Sequence, residues 1–302
     1  MASKELQLVI ELCQLSRRRR RPGAVELGRL AELHALYDEC AEGHRLPSNV
    51  KYQPVDAGGI SAEWVKAPKA ADDRVLMYLH GGCYGTGSAE THRDLTTRLS
   101  LGCSIPVLAL NYRLAPLHPF PAAVEDAAAA YRWLLKTGFE PARIAIAGDS
   151  AGAGLALATM LMIRDEGLPL PGAAVCLSPW VDLAVTGDSM ESKALQDPIV
   201  SREMLLGWAK LYLGDHDPRT PLASPLYGDL RRIPSLLIQV GSAEVLIDDS
   251  RRLTEQALLA GVNATLEIWP DMIHGWQNFA AILPEARQAI ARICQFVVDA
   301  IG

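Results

Sequence analysis

Arg143-Ile144-Ala145-Ile146-Ala147-Gly148-Asp149-Ser150-Ala151-Gly152-Ala153-Gly154-Leu155 is the stretch that decides the fold. An apolar strand runs into a tight turn and at once into a helix of small residues that ends near Arg164. Ser150 occupies the turn, with Gly148 two residues before it and Gly152 two after. So sharp a reversal holds its central residue in a strained backbone conformation. A side chain at 148 or 152 would collide with the neighbouring strand and helix. The turn lifts the Ser150 hydroxyl clear of the sheet, and the helix N-terminus behind it favours negative charge. That is the geometry a nucleophilic serine needs. A lone Gly-x-Ser-x-Gly reads most simply as a loop, but here the strand before it and the helix after it are both present.

Composition sets the bounds. The 302 residues are 49% apolar, enough for the core of one α/β domain, alone or with a small lid. With 29 basic and 35 acidic residues the net charge is −6, which argues against nucleic acid or an anionic membrane as the main partner. No apolar run is long enough to span a bilayer, so no stable membrane anchor is expected. The apolar stretch from Leu6 to Leu15 follows Glu5 and is broken by Glu11, and Arg17 to Arg21 come after it. That is the wrong polarity for a secretory signal, and the arginine run reads as a solvated helix face or loop. The six cysteines are widely spaced with no Cys-x-x-Cys pair, which suggests neither a disulfide framework nor a zinc site and fits a reducing cytoplasm.

Along the chain, residues 1–48 read as N-terminal cap helices, two of them broken at Arg21-Pro22-Gly23. In the second, Leu30, Leu33, Leu36, Tyr37 and Cys40 recur at helical spacing. Residues 49–182 read as the first part of an α/β domain. It opens with two alternating strands, Val50 to Val55 and Ser61 to Lys66. Strand and helix then alternate: strands at Val75–Leu79, Val107–Leu110 and Ala173–Leu177, helices at Glu90–Leu101 and Ala122–Lys136. Residues 183–232 contain no obvious strand and read as a cap insertion. Its helix, Ser201 to Leu213, carries Met204, Leu205, Trp208, Leu211 and Tyr212 on one face, a stripe read mostly as core. Residues 233–302 complete the α/β domain with strands at Ser235–Val240 and Ala264–Ile268 and a closing helix, Glu285–Ile301. Alternation of this kind predicts a mostly parallel sheet covered on both faces.

A serine hydroxyl needs a base to accept its proton. Of the seven histidines, His34, His44, His92 and His216 fall on predicted helices or polar loops and are expected to be solvated. His118 lies between prolines, where a structural role is favoured. His274 follows the last strand, at the sheet edge where Ser150 must emerge, and is the candidate base. The acid that would orient it comes from the loop after the preceding strand. Glu244 is the first carboxylate there and Asp248 the alternative; helix capping is the expected role of Asp248 and Asp249. His80-Gly81-Gly82-Cys83-Tyr84, directly after a strand, supplies backbone for an oxyanion hole, which the Ala151 N–H completes. His80 and Gly81 support that loop, His80 as a hydrogen-bonding residue rather than a base.

The chain resembles the bacterial hormone-sensitive-lipase-like esterases, a branch of the α/β-hydrolases, from about Arg74 to Ile301. The resemblance rests on His80-Gly81-Gly82, Asn111-Tyr112-Arg113-Leu114-Ala115-Pro116 with His118-Pro119-Phe120-Pro121, Gly148-Asp149-Ser150-Ala151-Gly152, Ser178-Pro179-Trp180-Val181-Asp182-Leu183 and His274-Gly275. It implies an α/β-hydrolase fold, a mostly parallel central sheet flanked by helices with a helical cap. It also implies hydrolysis of small-molecule carboxylic esters with short to medium acyl chains, without cofactor or metal. Many members form homodimers through an edge strand. Ser150, Glu244 and His274 follow the chain order of that superfamily's triad, with Gly82, Cys83 and Ala151 as oxyanion donors. Two departures are Cys83, where the family has a third glycine, and Glu244, where aspartate is common. Asp149 matches one subgroup and reads as a brace for the loop. The same machinery serves lactonases, amidases and deacetylases. Plant gibberellin receptors resemble the family too, but lack the histidine that this chain keeps.

Overall fold

Every side chain of β5 (Ile144–Asp149) is buried. Ile144 and Ile146 enter one apolar cluster while Ala145 and Ala147 enter another on the opposite face, the alternation a strand imposes. A strand buried on both faces needs neighbours on both edges and helices above and below. It has them. β3 (Val75–Leu79) and β6 (Ala173–Leu177) flank it, both parallel and in register from Val75↔Ile144 and Ala145↔Ala173.

The architecture is that of a computed structural model describing residues 3–19, 31–32, 34–35 and 46–302. The other strands are β1 (Lys51–Asp56), β2 (Ser61–Lys66), β4 (Val107–Leu110), β7 (Ser235–Gly241) and β8 (Ala264–Trp269). Together the eight strands form one sheet in the order β1-β2-β4-β3-β5-β6-β7-β8. The β1–β2 and β2–β4 pairs are antiparallel and the rest parallel.

Helices cover both faces. On one, α3 (Ala122–Lys136), α4 (Ala151–Asp165) and α6 (Ile247–Leu259) share a core with Val75, Met77, Leu79, Ala174 and Cys176. On the other, α1 (Lys4–Arg19), α2 (Arg93–Cys103) and α7 (Pro284–Ile301) pack over Leu76, Tyr78, Val175 and Leu177. The α2 helix starts three residues later than the sequence suggests, because residues 90–92 form a turn. The second N-terminal helix lies outside the described residues except for the helical positions 31–32 and 34–35.

Between β6 and β7 the chain forms no strand; its main element is α5 (Arg202–Leu213), whose N-terminus is capped by Ser201 Oγ accepting from Met204 N at 3.3 Å. Leu205, Trp208 and Tyr212 are buried in the core, with Met204 and Leu211 packed half-buried beside them. Tyr212 stacks on Tyr84 at 3.8 Å, which fastens this helix to the loop after β3. Arg17, first of the arginine run, is not simply solvated: its guanidinium donates to the Asp197 carbonyl at 2.9 Å. The side chains of Arg18 to Arg21 lie outside the described residues. No described helix is long and apolar enough to cross a membrane.

A Cβ at position 152 would fall on the carbonyls of Leu79 and His80, and one at 148 on the Gly152 carbonyl. Both positions demand glycine because α4 starts against the end of β3. Gly152→Ala is therefore expected to lower the free energy of unfolding by at least ~2 kcal/mol, read from the urea midpoint.

Candidate active site

Ser150 has φ 54° and ψ −120°, a sparsely populated conformation for a residue with a side chain, costing ~1–3 kcal/mol. Its neighbours hold it there. Ser150 N–H donates to the Leu177 carbonyl at 2.8 Å, and the Ser150 carbonyl accepts from Trp180 N at 3.0 Å and Ala153 N at 3.1 Å. The Ser150 backbone is thus tied to the end of β6 and the loop beyond it.

The loops after β7 and β8 are sewn together. Ser242 N donates to the Trp269 carbonyl at 2.9 Å, and Ala243 N to the Met272 carbonyl at 3.0 Å. This brings Glu244 and His274 into contact: Glu244 Oε2 accepts from His274 Nδ1 at 2.8 Å. Glu244 Oε1 accepts from Ser178 Oγ at 2.9 Å and from Gly241 N at 2.5 Å. Ser178 Oγ in turn accepts from Gly275 N at 3.1 Å, so one hydroxyl links the acid to the backbone beside the base. With Nδ1–H given to Glu244, His274 presents Nε2 as the acceptor. Burial disfavours the imidazolium, but the hydrogen bond and charge of Glu244, with Asp197 and Asp149 further off, outweigh it and raise the His274 pKa. Among the described residues, Ser150 Oγ makes no hydrogen bond to His274 Nε2. In resting enzymes this contact is often long and closes with substrate.

Asp248 and Asp249 do not cap their helix, contrary to expectation. Asp248 Oδ2 accepts from Ser189 N at 2.8 Å, and Asp249 Oδ2 from Val181 N and Asp182 N at 3.0 Å. Both fasten the chain after β6 to α6, and neither is bonded to His274. The reason is topological: that chain crosses the first turn of α6 and supplies backbone donors the carboxylates reach more readily than their own helix.

In the loop after β3, Gly81 N donates to Asp149 Oδ1 at 2.9 Å, so that N–H is committed to the brace. Gly82 N–H and Ala151 N–H donate to no protein acceptor among the described residues. Gly82, Cys83 and Tyr84 all have positive φ, at 116°, 55° and 61°. A third glycine would be unstrained at 83; cysteine holds the same backbone shape at a cost of ~1–2 kcal/mol. His80 Nδ1 donates to the Gly81 carbonyl at 2.7 Å, and its ring stacks on Tyr112 at 4.2 Å. Burial and the neighbouring His92 push the His80 pKa down to about 3, so it is a neutral supporting group.

His92 corrects the sequence reading. It is 3% exposed rather than solvated, and lies 3.3 Å from Asp149. A helix-start position masked this, because periodicity does not register contacts made across the sheet. His118 and His216 are exposed and His34 is half-buried; His44 lies outside the described residues. Ser178 and Asp197 also went unread. Ser178 has φ 45° directly after a parallel strand, where side chains reach the site. Asp197, 1% exposed, accepts from Val245 N at 2.9 Å, beside Glu244.

A family profile described as alpha/beta hydrolase fold matches residues 76–278. An acetyl-hydrolase of Streptomyces hygroscopicus is 48% identical over 305 residues, covering 100% of this chain and 99% of the relative. An esterase of Acinetobacter venetianus is 38% identical, covering 83% and 82%. A crystal structure of an esterase from the bacterial hormone-sensitive lipase family superposes with TM-score 0.95 at 47% identity, covering 100% of both chains. The chain belongs to the α/β-hydrolase fold family and, within it, to the esterases of the bacterial hormone-sensitive lipase family.

Glu244→Gln removes the charge facing Nδ1. It is expected to lower the His274 pKa, because the charge and hydrogen bond that raise it are weakened; imidazole NMR titration of the variant against the parent checks this.

Proposed function

We propose that this protein hydrolyses carboxylic esters with short to medium acyl chains through an acyl-enzyme on Ser150. The observation that carries the reading is the buried Glu244–His274 pair, 2.8 Å apart, at the same sheet edge as the strained Ser150. His274 Nε2 takes the Ser150 proton as Oγ attacks the ester carbonyl, and Glu244 stabilises the imidazolium. Backbone N–H groups of Gly82, Cys83 and Ala151 hold the oxyanion. Protonated His274 passes its proton to the leaving alcohol. A water then gives its proton to His274 and attacks the acyl-enzyme, and as the acid leaves His274 returns that proton to Ser150 Oγ.

Residues 1–48 and 183–232 act as the cap over the site in this reading. The Tyr84–Tyr212 stack, with Trp208 packed on Gly85, supports a limited acyl space. The acetyl-hydrolase name of the Streptomyces relative favours acetyl esters at the short end of the range. Cys103, Cys176 and Cys294 carry free thiols, in keeping with a reducing cytoplasm, and a homodimer through an edge strand remains part of the proposal.

Ser150→Ala is expected to abolish both burst and turnover on p-nitrophenyl acetate and butyrate with the fold intact by circular dichroism; retained turnover refutes the assignment. Glu244→Gln should cost ~10³–10⁴ in kcat, whereas Asp248→Asn should leave kcat within about threefold. Because the base must be neutral and its pKa is raised, activity should fall with decreasing pH at a midpoint above the ordinary histidine value of about 6.5. A kcat/KM profile flat to about pH 5 would count against His274 as base. Across p-nitrophenyl esters from acetate to laurate, kcat/KM should drop steeply beyond medium chains.

A further inference from the structure

A second buried histidine–carboxylate couple lies behind the oxyanion loop. His92, immediately before α2, is enclosed between the rings of Tyr78 and His80, with centroids 6.0 and 5.6 Å away. Its Nδ1 faces the Ser88 carbonyl at 3.1 Å and Thr91 Oγ1 at 2.9 Å. Thr91 Oγ1 already donates its proton to Ser88 O, so toward His92 it accepts. Nε2 faces the Asp149 carboxylate, at 3.3 Å from Oδ1 and 3.4 Å from Oδ2. Both ring nitrogens therefore meet acceptors and both carry hydrogen, which makes His92 an imidazolium. Burial opposes that charge, but Asp149 outweighs it and the His92 pKa is raised. Burial likewise pushes Asp149 up, yet the charge and hydrogen bond of His92, then the Tyr78 hydroxyl, hold its pKa at about 2. Asp149 is thus an ion held by an ion.

That carboxylate joins three elements. Oδ1 accepts from Tyr78 Oη at 2.6 Å and from Gly81 N at 2.9 Å. Gly81 precedes Gly82, a candidate oxyanion donor, and Asp149 precedes the nucleophile. A rotation of the Asp149 carboxylate would move the hole relative to Ser150. A Cβ at 81 would itself lie on Asp149 Oδ2, so the fit is close.

We propose that His92 is a positioning residue: by fixing the Asp149 carboxylate, with Tyr78, it sets the oxyanion loop in register with Ser150. The proposal rests on the esterase reading above. Nε2–H is the group that matters, and a glutamine amide can supply an N–H near the same place.

The test compares His92→Leu, His92→Gln and Tyr78→Phe with the parent enzyme and Ser150→Ala on p-nitrophenyl acetate. Inhibition by a trifluoromethyl ketone, which forms an oxyanion on the serine, and Tm are measured alongside. His92→Leu is expected to lower kcat ~10–100-fold with KM within about threefold, and to weaken the ketone by the factor lost in kcat/KM. His92→Gln should restore most of both. If His92→Leu fails to fold, Tyr78→Phe carries the test, with an expected loss of about 3–10-fold in kcat and the same loss in ketone affinity. Unchanged kcat in a folded His92→Leu, or in Tyr78→Phe where that variant carries the test, with Ser150→Ala inactive, overturns the proposal alone. So do losses in Leu and Gln variants that are equal and track Tm. Turnover surviving in Ser150→Ala overturns the esterase reading itself.

Discussion

The start of α4 presses against the end of β3 so closely that only hydrogen fits at Gly152, beneath the carbonyls of Leu79 and His80. Everything at the site follows from that approach. It brings the turn containing Ser150 beside the loop that begins at His80, so the proposed nucleophile and oxyanion donors come from abutting elements. It also forces the reversal whose strain appears at Ser150. The compensation is local: bonds to Leu177 and Trp180 fix the strained peptide from the β6 side. A serine so held has its backbone fixed in advance of any partner.

Two buried histidines use carboxylates to opposite ends. His274 gives only Nδ1 to Glu244, leaving Nε2 as an acceptor, and Glu244 is steadied by Ser178 and Gly241. His92 commits both nitrogens, so its charge is spent on structure rather than transfer. A third histidine, His80, lies beside His92 and stays neutral because like charge and burial both oppose its protonation. Chemistry thus depends less on residue type than on which nitrogens have acceptors.

The sheet was largely legible because its strands are short apolar runs separated by helical periods, and several boundaries agree to the residue, as at Val75–Leu79 and Ala122–Lys136. Ser150, Glu244 and His274 were legible as candidates because each follows a parallel strand, and topology gathers such loops at one edge. Side-chain partners were not. His92 looks like a solvated helix start until the sheet places it behind Asp149. Asp248 and Asp249 look like caps until the chain after β6 is seen crossing their helix. Ser178 lay within a quoted motif, but nothing local to it reveals that Glu244, sixty-six residues on, accepts its hydrogen bond. Contacts across such distances in sequence leave no periodic trace.

The Asp197 backbone and side chain face two ways. Its carbonyl receives Arg17 from the N-terminal helix, while its carboxylate receives Val245 N, next to the acid. The N-terminal helix and the loop that carries Glu244 are therefore tied to the same residue. Any displacement of α1 against that loop must either break the guanidinium contact or pull on the backbone beside Glu244, so the two segments move as one mechanical unit.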